Sequence, residues 1–344
     1  MSKVKFTLAL FVLLLSLHFS MLLVASGFFH ETLNLGLEKC HSITGIHGPE
    51  DFAQIRSSGL VFISSDERLN GNILSPHNGS IVLFDPLTHQ RQILTSDVSF
   101  EFHPHGIDLW ESSSETILYV INHRSDFSSV EVFNWDGAKL KHKKTIQNEL
   151  LINPNDIVTM GKDQFYLSHD HGSKNILLKK IETYSRMGRG YVTLYQEGNF
   201  RIMAKSIAYA NGMATSLDRG ILYVASMLGQ KIEVFNIAKD NSLIYLKSIK
   251  LEVSPDNIVL DRDGSLLISA HSKLFDLQSH MKDHAKSSPF EILRISHPDQ
   301  KAVSSRIIAG DGKGISGVSM AFPVGDKFLL GTIFMDKFLI CPKP

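Results

Sequence analysis

Phe102-His103-Pro104-His105-Gly106-Ile107-Asp108 sets two histidines beside a proline and a glycine, at the head of an apolar run of β character, with Asn122-His123 closing the next such run. With 16 histidines in 344 residues, one cluster of this kind says little. Its weight comes from recurrence. Polar turns of the same type stand at Pro49-Glu50-Asp51, Pro154-Asn155-Asp156-Ile157, Ala210-Asn211-Gly212 and Pro255-Asp256-Asn257-Ile258.

Around each turn the chain reads as short β runs separated by Gly, Asp, Asn, Ser and Pro. Pairs of runs fall at 59–65 and 80–85, 117–123 and 129–134, 165–170 and 191–195, 221–226 and 231–236, 265–271 and 290–295, and 327–334 and 337–341. The first run of a pair is mostly apolar, whereas the second often alternates, as in Val130-Glu131-Val132-Phe133, which suits a strand with one solvated face. A further β piece precedes each pair, at 52–55, 106–109, 156–160, 212–216, 257–261 and 317–322. A unit of four strands repeated at a period of about 45–60 residues is a propeller blade. The fold expected is all-β: one six-bladed β-propeller over residues 31–344, behind a hydrophobic segment over residues 1–30. No stretch beyond residue 35 keeps an apolar 3.6-residue period between good caps, which argues against helical folds. Residues 141–153 and 274–288 fit the strand pattern least, and a short helix or long loop is expected there.

Phe6 through Phe29 is a run of 24 residues without Asp, Glu, Lys or Arg, preceded by Lys3 and Lys5. It is long enough to cross a bilayer as a helix, and the lysines favour a cytoplasmic N-terminus with the body exported. Val24-Ala25-Ser26 before Gly27 would also pass as a cleavage site, so retained anchor and removed signal both stand. In a reducing compartment Cys40 and Cys341 would be two unrelated thiols; in an exported protein they read as one disulfide stapling the ends of the propeller. Export also makes Asn78-Gly79-Ser80 a glycan acceptor. Lys plus Arg equals Asp plus Glu at 35 each, leaving no basic field for nucleic acid.

The innermost strand of each blade begins at the central channel, so the residues opening each unit converge on one axis. They are Glu50-Asp51, His105, Asn155-Asp156, Asn211, Asp256-Asn257 and Ser316-Gly317. Each Asx taken alone does no more than form a turn. Four of six units showing it at one phase point instead to oxygen ligands for a hard cation, calcium, which takes six to eight oxygens. The absence of Cys/His ligand spacing argues against zinc.

The chain resembles the serum paraoxonase family of calcium-dependent lactonases and arylesterases from about residue 38 to the C-terminus, and in its hydrophobic leader. The resemblance is carried by Glu50-Asp51, the run 59–65, His103-Pro104-His105-Gly106-Ile107, Val120-Ile121-Asn122-His123, Asn155-Asp156-Ile157-Val158, Ala210-Asn211-Gly212, Asp256-Asn257-Ile258, Gly331-Thr332-Ile333-Phe334 and both cysteines. It implies a six-bladed propeller with two calcium ions in the tunnel. Carried over by position, Glu50, Asn155, Asn211, Asp256 and Asn257 would hold the calcium near the active site. Asp51, Asp156 and the carbonyl of Ile107 would hold the deeper one. His105 would match the general base and His123 its relay, while Tyr209, His271 and Ile333 would line the substrate pocket. Asp170 and His171 align with a supporting pair, whereas His169 does not. His103 stands where the family more often has an amide and is expected at the surface or just behind the metal. Gly317 replaces a small hydroxyl residue and Ala270 a free thiol, which puts substrate preference in question.

Physical chemistry agrees with that assignment. An ester carbonyl needs an electrophile and water needs a base of near-neutral pKa, which a cation with an open position and a histidine supply. No Gly-x-Ser-x-Gly elbow is present, arguing against a serine hydrolase. The expected protein is thus a calcium-dependent hydrolase of small-molecule lactones and aryl esters, exported and anchored to membrane or lipid through residues 6–29, with self-association open. A gluconolactonase- or strictosidine-synthase-like propeller, and a non-catalytic tethered scaffold, are the alternatives.

Overall fold

Every one of the predicted pairs forms the middle of a four-stranded antiparallel sheet in the computed structural model, which describes residues 3–68 and 75–344. Six such sheets follow one another. Five take their strands in chain order, the first running Pro49–Gln54, Val61–Ser65, Ser80–Phe84 and Arg91–Ile93. In the sixth, the outermost strand His41–Thr44 comes from the other end of the chain and pairs with Lys337–Pro342, His41 opposite Ile340 and Thr44 opposite Lys337. This join removes the exposed edge an open sheet would leave. Directly before it, Cys40 is disulfide-bonded to Cys341 across a separation of 301 residues.

Apolar side chains fill the space between neighbouring blades. Phe62 of blade 1 meets Trp135 of blade 2 edge-on, with ring centroids 5.4 Å apart, and Phe84 meets Phe338 of blade 6 in the same way at 5.1 Å. The mostly apolar second strands are the most deeply buried: Val61–Ser65 and Leu266–His271 are buried at every position. Outer strands such as Leu140–Ile146 carry polar residues outward, which is why they gave the weakest sequence signal.

Among the described residues, helices occur in three places. α1, Lys3–Ala25, is the apolar leader, and its large side chains from Phe6 to Val24 are mostly exposed. It is long and apolar enough to cross a membrane. Met1 and Ser2 of the expected leader lie outside the described residues. α2, Ile176–Ser185, overturns the expectation that no capped helix follows residue 35. Asn175 caps it by accepting from the N–H groups of Leu177 and Leu178. Its apolar residues Ile176, Leu177, Leu178 and Ile181 face outward, so no buried stripe marked it in the sequence. α3, Leu274–Lys282, occupies the second of the two weak stretches, and the first is divided between the strand Leu140–Ile146 and a loop over 147–153.

The leader ends against the propeller. The carbonyl of Ala25 accepts from Arg186 at the end of α2, and that of Ser26 accepts from the Leu274 N–H opening α3. His30 Nε2 lies 2.6 Å from Glu291 Oε1, and Leu35 exchanges two backbone hydrogen bonds with Ala309.

Candidate active site

The channel strands share one irregularity. Each loses register at its first residues, between Pro49 and Asp51, Pro104 and Ile107, Pro154 and Ile157, Ala210 and Met213, Pro255 and Ile258, and Val318 and Met320. Such bulges re-aim side chains next to a site. Five of them hold the residues singled out from the sequence: Glu50, His105, Asn155 with Asp156, Asn211, and Asp256 with Asn257.

These residues stand around a cavity of about 400 Å³. Glu50, His105, His123, Asn155, Asn211 and Asp256 all line it, as do the expected pocket residues Tyr209, His271 and Ile333. Asn257 is buried but does not reach the lining. Asp51, Ile107 and Asp156 lie deeper, buried behind it.

At the cavity wall, His105 Nε2 is 3.0 Å from Glu50 Oε1, and His105 Nδ1 is 2.8 Å from His123 Nε2. Burial pushes the Glu50 carboxyl up, but the Arg68 guanidinium and His105 outweigh it and bring the pKa down to about 2. Arg68 pairs with Glu50 Oε2 at 2.5 Å. Burial, and then the neighbouring His105 and Arg68, hold His123 well below the usual histidine range, so it is neutral at ordinary pH. On another part of the wall Asp256 accepts from Asn211 Nδ2 at 2.6 Å and from His271 Nε2 at 2.7 Å, leaving His271 Nδ1 buried without a partner among the described residues.

Deeper carboxylates stitch one blade to the next. Asp51 Oδ2 accepts the Ile107 N–H at 2.7 Å, and Asp156 Oδ2 accepts the Met213 N–H at 2.5 Å. Burial, followed by repulsion from Asp156, raises Asp51 well above the usual carboxylate range. Burial likewise pushes Asp156 up to about 8, with the charges of Asp108 and Asp256 adding to it. Carboxylates buried this close need a proton or a cation between them. Among the described residues, no three His, Cys, Asp or Glu side chains gather as a metal-binding group. The donors are a mixture of carboxylate and amide oxygens, which suits a hard cation. Two buried, mutually repelling aspartates and this donor set therefore fit calcium chemically.

Of the two places expected for His103, the surface is excluded: it is buried at 2% exposure, with Nδ1 3.1 Å from Oδ1 of the lining residue Asp66. Ala270 belongs to an apolar cluster shared by blades 4 and 5 and does not line the cavity, so the missing thiol leaves the pocket wall unchanged. Asp170 holds His171 Nδ1 at 2.7 Å, and His171 Nε2 reaches Thr183 of α2 at 2.9 Å, tying that helix to the wall. Tyr209 meets His171 edge-on at 5.0 Å and takes a left-handed backbone, φ +60, uncommon for a bulky residue. Asn78 is exposed, yet its amide donates to Phe100 O and accepts from Phe102 N–H, each at 3.0 Å. Arg68, Arg124 and Ser128, all in the lining, were missed from the sequence. Only Arg68 had a signal there: it follows Asp66-Glu67 where the strand Val61–Ser65 runs out beside Glu50.

The Arylesterase family model matches residues 32–342. Human serum paraoxonase/lactonase 3 is 33% identical over 317 residues, covering 88% of each chain. Dog serum paraoxonase/arylesterase 2 is 31% identical over 323 residues, 90% of each. Among solved structures, a luciferin-regenerating enzyme superposes with TM-score 0.58 at 12% identity, covering 89% of this chain and 95% of that one. A gluconolactonase from Xanthomonas campestris reaches 0.55 at 12%, covering 91% and 95%; both share the propeller fold. A match of that extent, together with relatives of this identity along nearly their whole length, means that the chain belongs to the arylesterase family.

Proposed function

We infer that this carboxylic-ester hydrolase opens lactones and aryl esters in the axial cavity, with calcium as cofactor and the His105–His123 pair handling the proton of the attacking water. The observation that carries the reading is the unbroken chain from Glu50 through His105 to His123, with links of 3.0 and 2.8 Å on the cavity wall. Glu50, Asn155, Asn211, Asp256 and Asn257 would hold one calcium, and Asp51, Asp156 and the Ile107 carbonyl a second below it. When bound beside the substrate, such an ion polarises the ester carbonyl and stabilises the oxyanion.

The chain's own groups supply the rest. Once parted from Glu50, His105 takes the proton of water at Nε2 and returns it to the departing alkoxide or phenoxide. His123 meets the other face of the base as a neutral ring, adding no competing charge. Tyr209, Ile333 and Phe334 give the acyl or aryl group an apolar wall, and His271 fixes Asp256 from behind. The body stands outside the cytoplasm and is held to a membrane by α1. This placement is supported by the exposed apolar surface of that helix and by the hydrogen bonds from Arg186 and Leu274 to its end. Asn78 is the glycan site in that setting; a linked sugar leaves one amide hydrogen for the Phe100 carbonyl.

Phenyl acetate and a long-chain lactone, offered with calcium and after chelation, test this function. Both should turn over with calcium, lose at least about 100-fold on chelation and recover when calcium returns. Asp256→Ala should lose turnover and unfold at lower temperature. Failure of both substrates in calcium overturns the hydrolytic reading, and turnover indifferent to chelation overturns the role of the ion.

A further inference from the structure

The hydrogen-bond chain does not stop at His123. His123 Nδ1 lies 3.1 Å from Ser128 Oγ, and Ser128 lines the same cavity. The two residues are direct partners across the hairpin of blade 2, His123 ending one strand and Ser128 opening the next. A four-residue connection, Arg124–Phe127, joins them, closed by the Arg124 N–H donating to the Phe127 carbonyl. Backbone register therefore sets the position of the hydroxyl, independent of any loop.

Both ring nitrogens of His123 are engaged, Nε2 with His105 Nδ1 at 2.8 Å and Nδ1 with Ser128 Oγ at 3.1 Å. A neutral imidazole donates from one nitrogen and accepts at the other, so whichever way His123 meets His105, the partner of its Nδ1 must take the complementary role. A hydroxyl can donate or accept; an amide nitrogen, a carboxylate or a methyl group serves one role or neither.

We propose that Ser128 is a positioning residue for the hydrolytic reaction, its hydroxyl partnering His123 Nδ1 in either tautomer and so holding that ring against His105. This rests on the assignment of His105 as the base. Removing the hydroxyl leaves a buried ring nitrogen unpaired in either form and takes away the constraint that couples the two rings.

Full-length wild type, Ser128→Ala and Ser128→Thr are to be compared by steady-state kinetics on phenyl acetate in calcium, and by 15N resonances of the histidine rings. Ser128→Ala should lower kcat roughly 10-fold with KM unchanged, a fraction of what a complete base contributes. Its His123 nitrogen resonances should shift, and Ser128→Thr should restore both. Unchanged kcat in Ser128→Ala overturns the proposal. So does a fall in kcat that threonine fails to rescue, with the His123 resonances unmoved, since that is a structural effect only. If wild type turns over no ester, the hydrolytic reading fails, and the resonances alone decide whether Ser128 sets the His123 tautomer.

Discussion

A β-carbon on Gly212 would stand 2.4 Å from the Cα of Asn257 and 2.7 Å from the carbonyl oxygen of Asp256. The channel strands of blades 4 and 5 thus touch backbone to backbone at the level of two proposed calcium ligands. Gly106 repeats the arrangement one pair of blades earlier, where a β-carbon would meet Asn155 O at 2.6 Å and Asp156 Cα at 2.8 Å. Neither obstacle is a flexible side-chain end, so the strands would have to part. Gly212→Ala should cost about 1–3 kcal/mol of stability, the usual range for overpacking. It should also depress turnover by moving Asp256 and Asn257 off the axis. Thermal unfolding with parallel assays of phenyl acetate hydrolysis checks this; wild-type values in both would mean that the blades are not in such close contact.

Closure of the ring rests on a short strand and one covalent bond. His41–Thr44 makes only four pairings with Lys337–Pro342, and Cys40–Cys341 lies next to them. Cross-linking across 301 residues restricts the unfolded chain strongly, and loss of such a bond costs about 2–5 kcal/mol. Cys341→Ser should therefore unfold at lower temperature. Amide exchange should quicken at residues 41–44 well before it does in the interior of blades 2 to 4. Equal exchange at 41–44 in wild type and variant would show that backbone pairing alone closes the ring.

Legibility in the sequence followed burial. The second strand of each blade is apolar at nearly every position because it packs on both faces, and all six were readable within a residue or two, as at 221–226. Blade entrances were readable for another reason: a bulge and a shared axis bring Asx or Glu to one phase of the unit, and four of the six bulges carry them, with His105 in a fifth. What failed to show lacks either constraint. α2 buries no side chain, so it has no apolar stripe to read. His103 and His105 are alike by type, and only the likeness to the family set them apart in the sequence; one packs against Asp66 and the other faces the cavity, a difference set by the bulge between Pro104 and Ile107. Ser128 is one of 39 residues of its kind in the chain, and only its register opposite His123 distinguishes it.

His169, adjacent to the supporting pair Asp170–His171 but not part of it, gives the acid behaviour of the fold a specific test. Its ring stacks on Tyr191 at 4.3 Å, Nε2 lies 3.0 Å from Thr193 Oγ1, and Nδ1 is buried without a partner. Burial lowers its pKa to about 3, against a weak opposing pull from Asp170. An unfolded histidine titrates near 6.5, so below that pH the unfolded chain binds a proton that the folded one refuses. The stability held by the neutral ring is complete above about pH 6.5 and declines as pH falls toward 3, at up to about 1.4 kcal/mol per pH unit. His169→Gln, which can still reach Thr193, should be less stable than wild type at pH 7.5 through loss of the stacked ring. Between pH 6.5 and 5 its denaturation midpoint should fall less steeply, so that the two curves converge; His123, also depressed, keeps some slope in both proteins. Parallel curves across that interval would mean that His169 already accepts its proton in the folded state, contrary to the burial that defines its site.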